Sequence, residues 1–424
     1  MQPDSTFHSQ NTPDGPDNLD SPDNLDSPDN LDGQNKQDRA SFRSALPGVV
    51  FIAFIFLLLF MGRIIIGPLM VDIQTELGIS HTQSGGLFLL IALGAGLSVL
   101  LSGFVAAAVN HKRTIWLATL LMGVSLWGAG HAYSVGAFRM WLFGAGMGVG
   151  LYLPSAIAYI TCLAPQKHWG KALSVHECAP NSAFVLTPLL AELVLWLDTW
   201  RLGPSAIGVA LVAMGTLFFL FARGGDFKGS PPNIATARQI VVRPIFWLFT
   251  LLVSLAVGVA LGTYGMTPLF LVHDHGMARE VANELVSVSR ISSVFMALVG
   301  GVLTDRLGPV RTITIYLACA GTATALLGLT SGSFLVGVVL VQALLAGLFF
   351  PAGYTLLSRA FDSRLRSLAI SLSTPISAAI GAGVIPTLLG VAGDHGGFAT
   401  GFVCLGGALL LALALMPVLR RMAD

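Results

Sequence analysis

Two arginines lie where charge is costly: Arg63 in FMGRIII and Arg290 in VSVSRISS, each inside a stretch long enough to cross a bilayer. Placing a guanidinium at membrane depth costs at least ~2.5 kcal/mol, so such residues are normally kept for function. Arg63 sits about seven residues from the outer end of its stretch, roughly 10 Å deep at the helical rise, and Arg290 lies at a similar depth. Two guanidinium forks at one height would suit a carboxylate or another oxyanion, because each fork matches two acceptor oxygens at once. The plain alternative is that each snorkels outward, or that Arg63 pairs with Asp72 or Glu76.

A second constellation lies in WGKALSVHECAPNSAFVLTPLLAE, residues 169–192. His176 and Glu177 fall roughly 10 Å in from the helix start. Adjacent helical residues point about 100° apart, so only one of the pair is expected to face a given cavity. Glu177 shares its face with Asn181, whereas His176 shares one with Pro180. Burial penalises the charged form of a carboxylate, and histidine as a residue type changes charge in the physiological range. Either chemistry suits a coupling proton, against the plainer role of locking two helices together. Glu192, at the far end of this stretch, reads as a rim contact. Cys162, Cys178, Cys319 and Cys404 show no CxxC spacing, so neither a disulfide framework nor a metal site is indicated.

Helices must position these groups, because backbone in lipid has to satisfy its own N–H and C=O groups. The 424-residue chain is 54% hydrophobic and 11% charged, with mean hydropathy +0.76. A soluble domain carries about a quarter charged residues. Apolar spans are expected near 46–70, 82–107, 114–132, 136–163, 170–197 and 201–222, then 244–272, 283–304, 311–331, 334–358, 367–391 and 398–419. This divides the chain into a bundle over 45–223, a cytoplasmic linker over 224–243 and a second bundle over 244–424. Residues 1–44 carry GPDNLD and two SPDNLD repeats, an acidic tail expected to be disordered. No cleavable leader is visible. With both termini in the cytoplasm, the outer loops hold only Arg201 and Arg279 among the basic residues, as the positive-inside bias requires. SGFVAAAVNHKRTI (102–115) aligns with GGVLTDRLGPVRTI (300–313), so the halves read as parallel repeats.

The second of those loops, Gly301-Val-Leu-Thr-Asp305-Arg306-Leu-Gly308-Pro-Val-Arg311, resembles the loop signature of the major facilitator superfamily, G-x-x-x-D-R-x-G with basic residues following. In the first copy Ala107, Ala108 and Asn110 replace the Asp, Arg and Gly. The resemblance covers residues 45–424 and implies two six-helix bundles rocking about a midplane cavity. It implies a cytoplasmic latch at Asp305, and an asymmetric gate because the first half lacks the acid. It also places Arg63 and Arg290 beside that cavity, and Arg139 near a common cavity arginine, although its spacing to Gly144 is one residue long. Tyr152 and Tyr354 are further lining candidates, since a buried hydroxyl needs a partner. Residues 179–184, APNSAF, lack the paired glycines of the family's antiporters.

The expectation is an all-α membrane protein of twelve transmembrane helices, monomeric, in a bacterial inner membrane. It should couple protons to movement of a small organic anion, with no cofactor, metal or nucleic-acid partner. The nearest rival is a proton-driven exporter of hydrophobic compounds. A membrane-embedded enzyme is disfavoured by the lack of a motif such as HExxH, and a channel by the repeated halves.

Overall fold

A computed structural model describes residues 42–229 and 234–423. The PDNLD tail lies outside the described residues. Twelve helices cross the membrane in two six-helix bundles. The first bundle holds α1 (Phe42–Ile64), α2 (His81–Val109), α3 (His111–Gly130), α4 (Val135–Leu163), α5 (Trp169–Leu197) and α6 (Leu202–Phe221). The second holds α7 (Pro244–His273), α8 (Arg279–Leu307), α9 (Pro309–Leu327), α10 (Gly332–Ala360), α11 (Leu368–Gly396) and α12 (Phe398–Met422). Ten are apolar enough to cross on composition alone. The polar pair, α3 and α8, still have crossing length at 20 and 29 residues. Both termini of the described chain lie on one face, called the terminal face below; the opposite face is the distal one.

Glycine sets the approach of α2 to α4. A Cβ on Gly94 would meet the Phe143 carbonyl, and one on Gly146 or Gly150 would meet carbonyls of Ile91 or Ala95. Small residues of this kind let helices in lipid close to backbone contact. The halves meet along α2–α11 and α5–α8. Opposed π-helical turns at Gly258–Gly262 of α7 and Ile380–Val384 of α11 pack together, Gly381 against Ser254 and Gly258.

α1 departs from the expected span. It ends as a regular helix at Ile64, because residues 65–69 form a buried turn before a short distal helix, Met70–Leu77. Arg63 therefore stands in the last turn of α1, where a cation also meets the negative end of the helix dipole. The linker contains a short helix over Ile234–Val241.

The two repeat loops keep one backbone shape despite their different residues. Asn110 has φ 80° and ψ 167°, and Gly308 has φ 81° and ψ 161°. That region is nearly restricted to glycine and costs other residues about 1–3 kcal/mol. Asn110 recovers part of this by accepting from Arg113 N at 2.9 Å through its side chain. Asn110→Gly should accordingly raise thermal stability by about 1 kcal/mol, while Asn110→Ala, which keeps the strain and loses the cap, should lower it; thermal unfolding of the purified variants reads both signs. The degraded first loop also holds the linker. Lys112 Nζ donates to the Ala222 carbonyl at 2.6 Å, and the His111 and Lys112 amides donate to Phe227 and Gly225.

Candidate functional site

Phe56, Phe60 and Arg63 recur at four- and three-residue spacing on α1 and so share one face. That face meets α5 and, through it, the second bundle. The rings form a string: His176 stacks on Phe56 at 4.3 Å, Phe56 meets Phe60 at 6.1 Å, Phe60 meets Phe184 at 5.2 Å, and Phe184 meets Tyr264 of α7 at 5.0 Å. Both arginines lie against this string. The Arg63 guanidinium is 5.9 Å from the Phe60 ring, and that of Arg290 is 5.0 Å from Phe184 and 5.1 Å from Tyr264.

Neither arginine has an ion pair among the described residues. Arg290 is 4% exposed and its Nε has no hydrogen-bond partner. The acids suggested for Arg63 are committed elsewhere: Asp72 to Arg279 at 3.0 Å, and Glu76 to Arg201 at 2.8 Å. Arg63 instead lines a small recess of about 20 Å³ between the halves, together with Phe88, Leu261 and Tyr264.

The His176 side chain is fully buried, and its environment selects a tautomer. Tyr152 Oη lies 2.8 Å from the Ile52 carbonyl and 3.1 Å from His176 Nε2. A carbonyl can only accept, so the single hydroxyl hydrogen goes to Ile52, and Nε2–H must donate to Tyr152. That leaves Nδ1 as a buried lone pair without a hydrogen-bond partner, 3.5 Å from Glu177 Oε1. Glu177 itself is not the buried carboxylate expected from its helix position: its side chain is 61% exposed. The adjacent-residue geometry of a helix turns it away from the α1 face that His176 meets. Asn181 shares its side of α5 as expected, but donates to the Glu177 backbone carbonyl at 3.0 Å rather than to the carboxylate.

The distal face is closed. On α8 the polar residues Arg279, Asn283, Ser287 and Arg290 follow at spacings of four, four and three, forming a stripe toward α5. Arg279 reaches Asp72 at 3.0 Å and Glu192 at 3.4 Å. Asn283 donates to Glu192 at 2.5 Å and to the Pro68 carbonyl at 3.1 Å, and Ser287 to the Val185 carbonyl at 2.7 Å. Beside them Asp394 of α11 accepts from the first amides of α2, His81 and Thr82, both at 2.9 Å. A carboxylate at a helix N-terminus is stabilised by the unpaired amides there. Arg279, read above only as an outer-loop charge, is thus the hub of this seam; the polar stripe was its signal in the sequence.

On the terminal side of the cluster the Glu177 side chain of α5 is exposed. Tyr354 of α10 is exposed. Gly301, Asp305, Arg306, Gly308 and Arg311 fall at the terminal ends of α8 and α9, with Asp305, Arg306 and Arg311 exposed. Among the described residues Asp305 makes no ion pair. Arg139 stands one turn inside the distal end of α4, and no ring contact or ion pair among the described residues ties it to the arginine–aromatic cluster.

A model of the Major Facilitator Superfamily matches residues 52–289 and 258–423. A probable nitrate/nitrite antiporter of Thermus thermophilus is 25% identical over 285 residues, 63% of each chain, so this chain spans somewhat under two thirds of that relative. A probable sulfoacetate transporter of Cupriavidus necator is 23% identical over 344 residues, 76% of this chain and 78% of its own. The fold matches the crystal structure of a bacterial homolog to the human lysosomal transporter Spinster, inward-facing and occupied, with TM-score 0.76 at 18% identity, covering 90% of this chain and 98% of that one.

Proposed function

Because this chain belongs to the major facilitator superfamily, we propose that it moves a small organic anion across a bacterial inner membrane, coupled to protons. It is a multi-pass secondary transporter. The observation that carries the anion reading is Arg290, a buried guanidinium without a counter-ion among the described residues. Burying an unpaired charge is strongly unfavourable, and a bound anion is the partner that would offset it. A site for neutral or cationic lipophilic compounds gains nothing from that cost, which disfavours a drug exporter. The two curated relatives above are themselves described as carriers of oxyanions.

The terminal face is assigned to the cytoplasm, where the basic loop residues collect. The conformation described is then inward-open, with the distal seam shut. His176 is the proton acceptor in this reading: Nδ1 is its free position, and exposed Glu177 lies next to it to receive the imidazolium. Phe56 and Phe60 connect this group to Arg63, so protonation and anion occupancy act on one packed string.

Proteoliposomes test the coupling. An inward proton gradient should drive accumulation of carboxylates or sulfonates, and a protonophore should abolish it. Uptake indifferent to the protonophore would remove the coupling. His176→Gln should lose gradient-driven accumulation by ~10-fold or more, yet retain anion exchange between loaded and external pools. Loss of both activities together in a well-folded variant would assign His176 to structure instead.

A further inference from the structure

Among the described residues, Tyr264 touches both parts of the proposed site. It borders the recess that Arg63 lines, and its ring lies against the Arg290 guanidinium. It is 1% exposed, and its hydroxyl has no hydrogen-bond partner. Arg290 Nε, close by, is unpartnered as well. Buried polar groups in folded proteins are nearly always satisfied, so two orphaned donors in one place point to a missing acceptor. The recess supplies none: its lining is aliphatic and aromatic apart from Arg63 and Tyr264. Nor does it contain a carboxylate. Asp72, Glu76 and Glu192 are engaged at the distal seam, and the Glu177 side chain is exposed.

We infer that Tyr264 donates its hydroxyl hydrogen to the anionic head beside Arg290, and that the site rejects cargo carrying an ammonium group. The inference rests on the anion reading above. An ammonium within this recess would face the Arg63 guanidinium, with that of Arg290 against the Tyr264 ring, in a medium that screens poorly and with no acid in the lining to receive it. Its water shell would be lost without replacement. Zwitterions such as amino acids are therefore excluded even when their carboxylate end fits, and the preferred cargo is a short anion with an uncharged body.

Thermal-shift measurements on the purified full chain, with matched probes, test this. The pairs are butanoate against 4-aminobutanoate, and ethanesulfonate against 2-aminoethanesulfonate. In each pair the plain anion should stabilise the protein, and its aminated partner should need ~100-fold more ligand for the same shift. Tyr264→Phe, which keeps the ring against Phe184, should weaken anion binding ~10-fold or more. If aminated and plain probes act alike, and Arg290→Gln removes both responses, the anion site stands and the selection against ammonium falls. If Tyr264→Phe binds anions like the parent, its role as a ligand falls. If no probe shifts the melting point and Arg290→Gln changes nothing, the anion reading itself fails and takes this inference with it.

Discussion

Arg290→Gln is expected to lower anion transport at least ~30-fold and, at the same time, to raise the melting temperature of the empty protein. The two effects share one cause. Glutamine keeps a polar, though shorter, side chain and removes a positive charge that no residue of the described chain neutralises. Truncating one partner of a buried charge pair costs about 2–5 kcal/mol in binding, which converts to factors of roughly thirty to several thousand. In the empty state the balance reverses. A buried unpaired guanidinium opposes folding, so its neutralisation should stabilise the protein by about 1–3 kcal/mol. Ligand-free thermal unfolding, paired with uptake, separates function from structure. A structural arginine would show a fall in both, because its rings and helix contacts would be lost together. A fall in melting temperature with uptake preserved would end the assignment of Arg290 to the cargo.

The second large effect concerns Arg279. Its guanidinium meets Asp72 of the first half, Glu192 of α5 and its own neighbour Glu280 at 2.7 Å. These groups are partly exposed, and each pair alone is worth about 1 kcal/mol or less. Together they hold three acids around one cation, and without it the acids repel. Arg279→Ala should therefore favour opening of the distal face by ~10–100-fold. A cysteine at Ser287 reports the change, since Ser287 is buried in the seam against the Val185 carbonyl. With the four exposed native cysteines replaced, a membrane-impermeant thiol reagent applied from the distal side should label Cys at position 287 slowly in the parent. Labelling should speed up by at least ~10-fold in Arg279→Ala. An unchanged or slower rate would show that packing of α2 on α11 and α5 on α8, rather than this ion cluster, keeps the face shut. Asp394→Asn should act in the same direction but more weakly, because the amide oxygen still accepts from one α2 amide.

Much of the site was visible as periodicity. Phe56, Phe60 and Arg63 could be placed on one face of α1 from spacing alone, and so could the Arg279, Asn283, Ser287 and Arg290 stripe of α8. The repeat of the two loops was legible down to the Asn110–Gly308 correspondence, which the backbone retains. Burial was less legible. Glu177 and His176 are neighbours in the chain, yet one is exposed and the other enclosed. The difference arises because α1 covers the side of α5 that carries His176 and leaves the Glu177 side exposed.

Composition, span length and charge placement determine by themselves that this is a twelve-helix membrane protein, because lipid admits few solutions for an apolar backbone. They also single out the arginines, since a charge inside such a span is conspicuous against its neighbours. Which arginine stays free was decided only in three dimensions. Asp72 lies nine residues from Arg63 but pairs with Arg279, 207 residues away. Local spacing records what a residue could reach along its own helix. The choice between competing partners is made by how the helices pack, and here packing commits the acids to the distal seam and leaves Arg63 and Arg290 without an ion pair among the described residues.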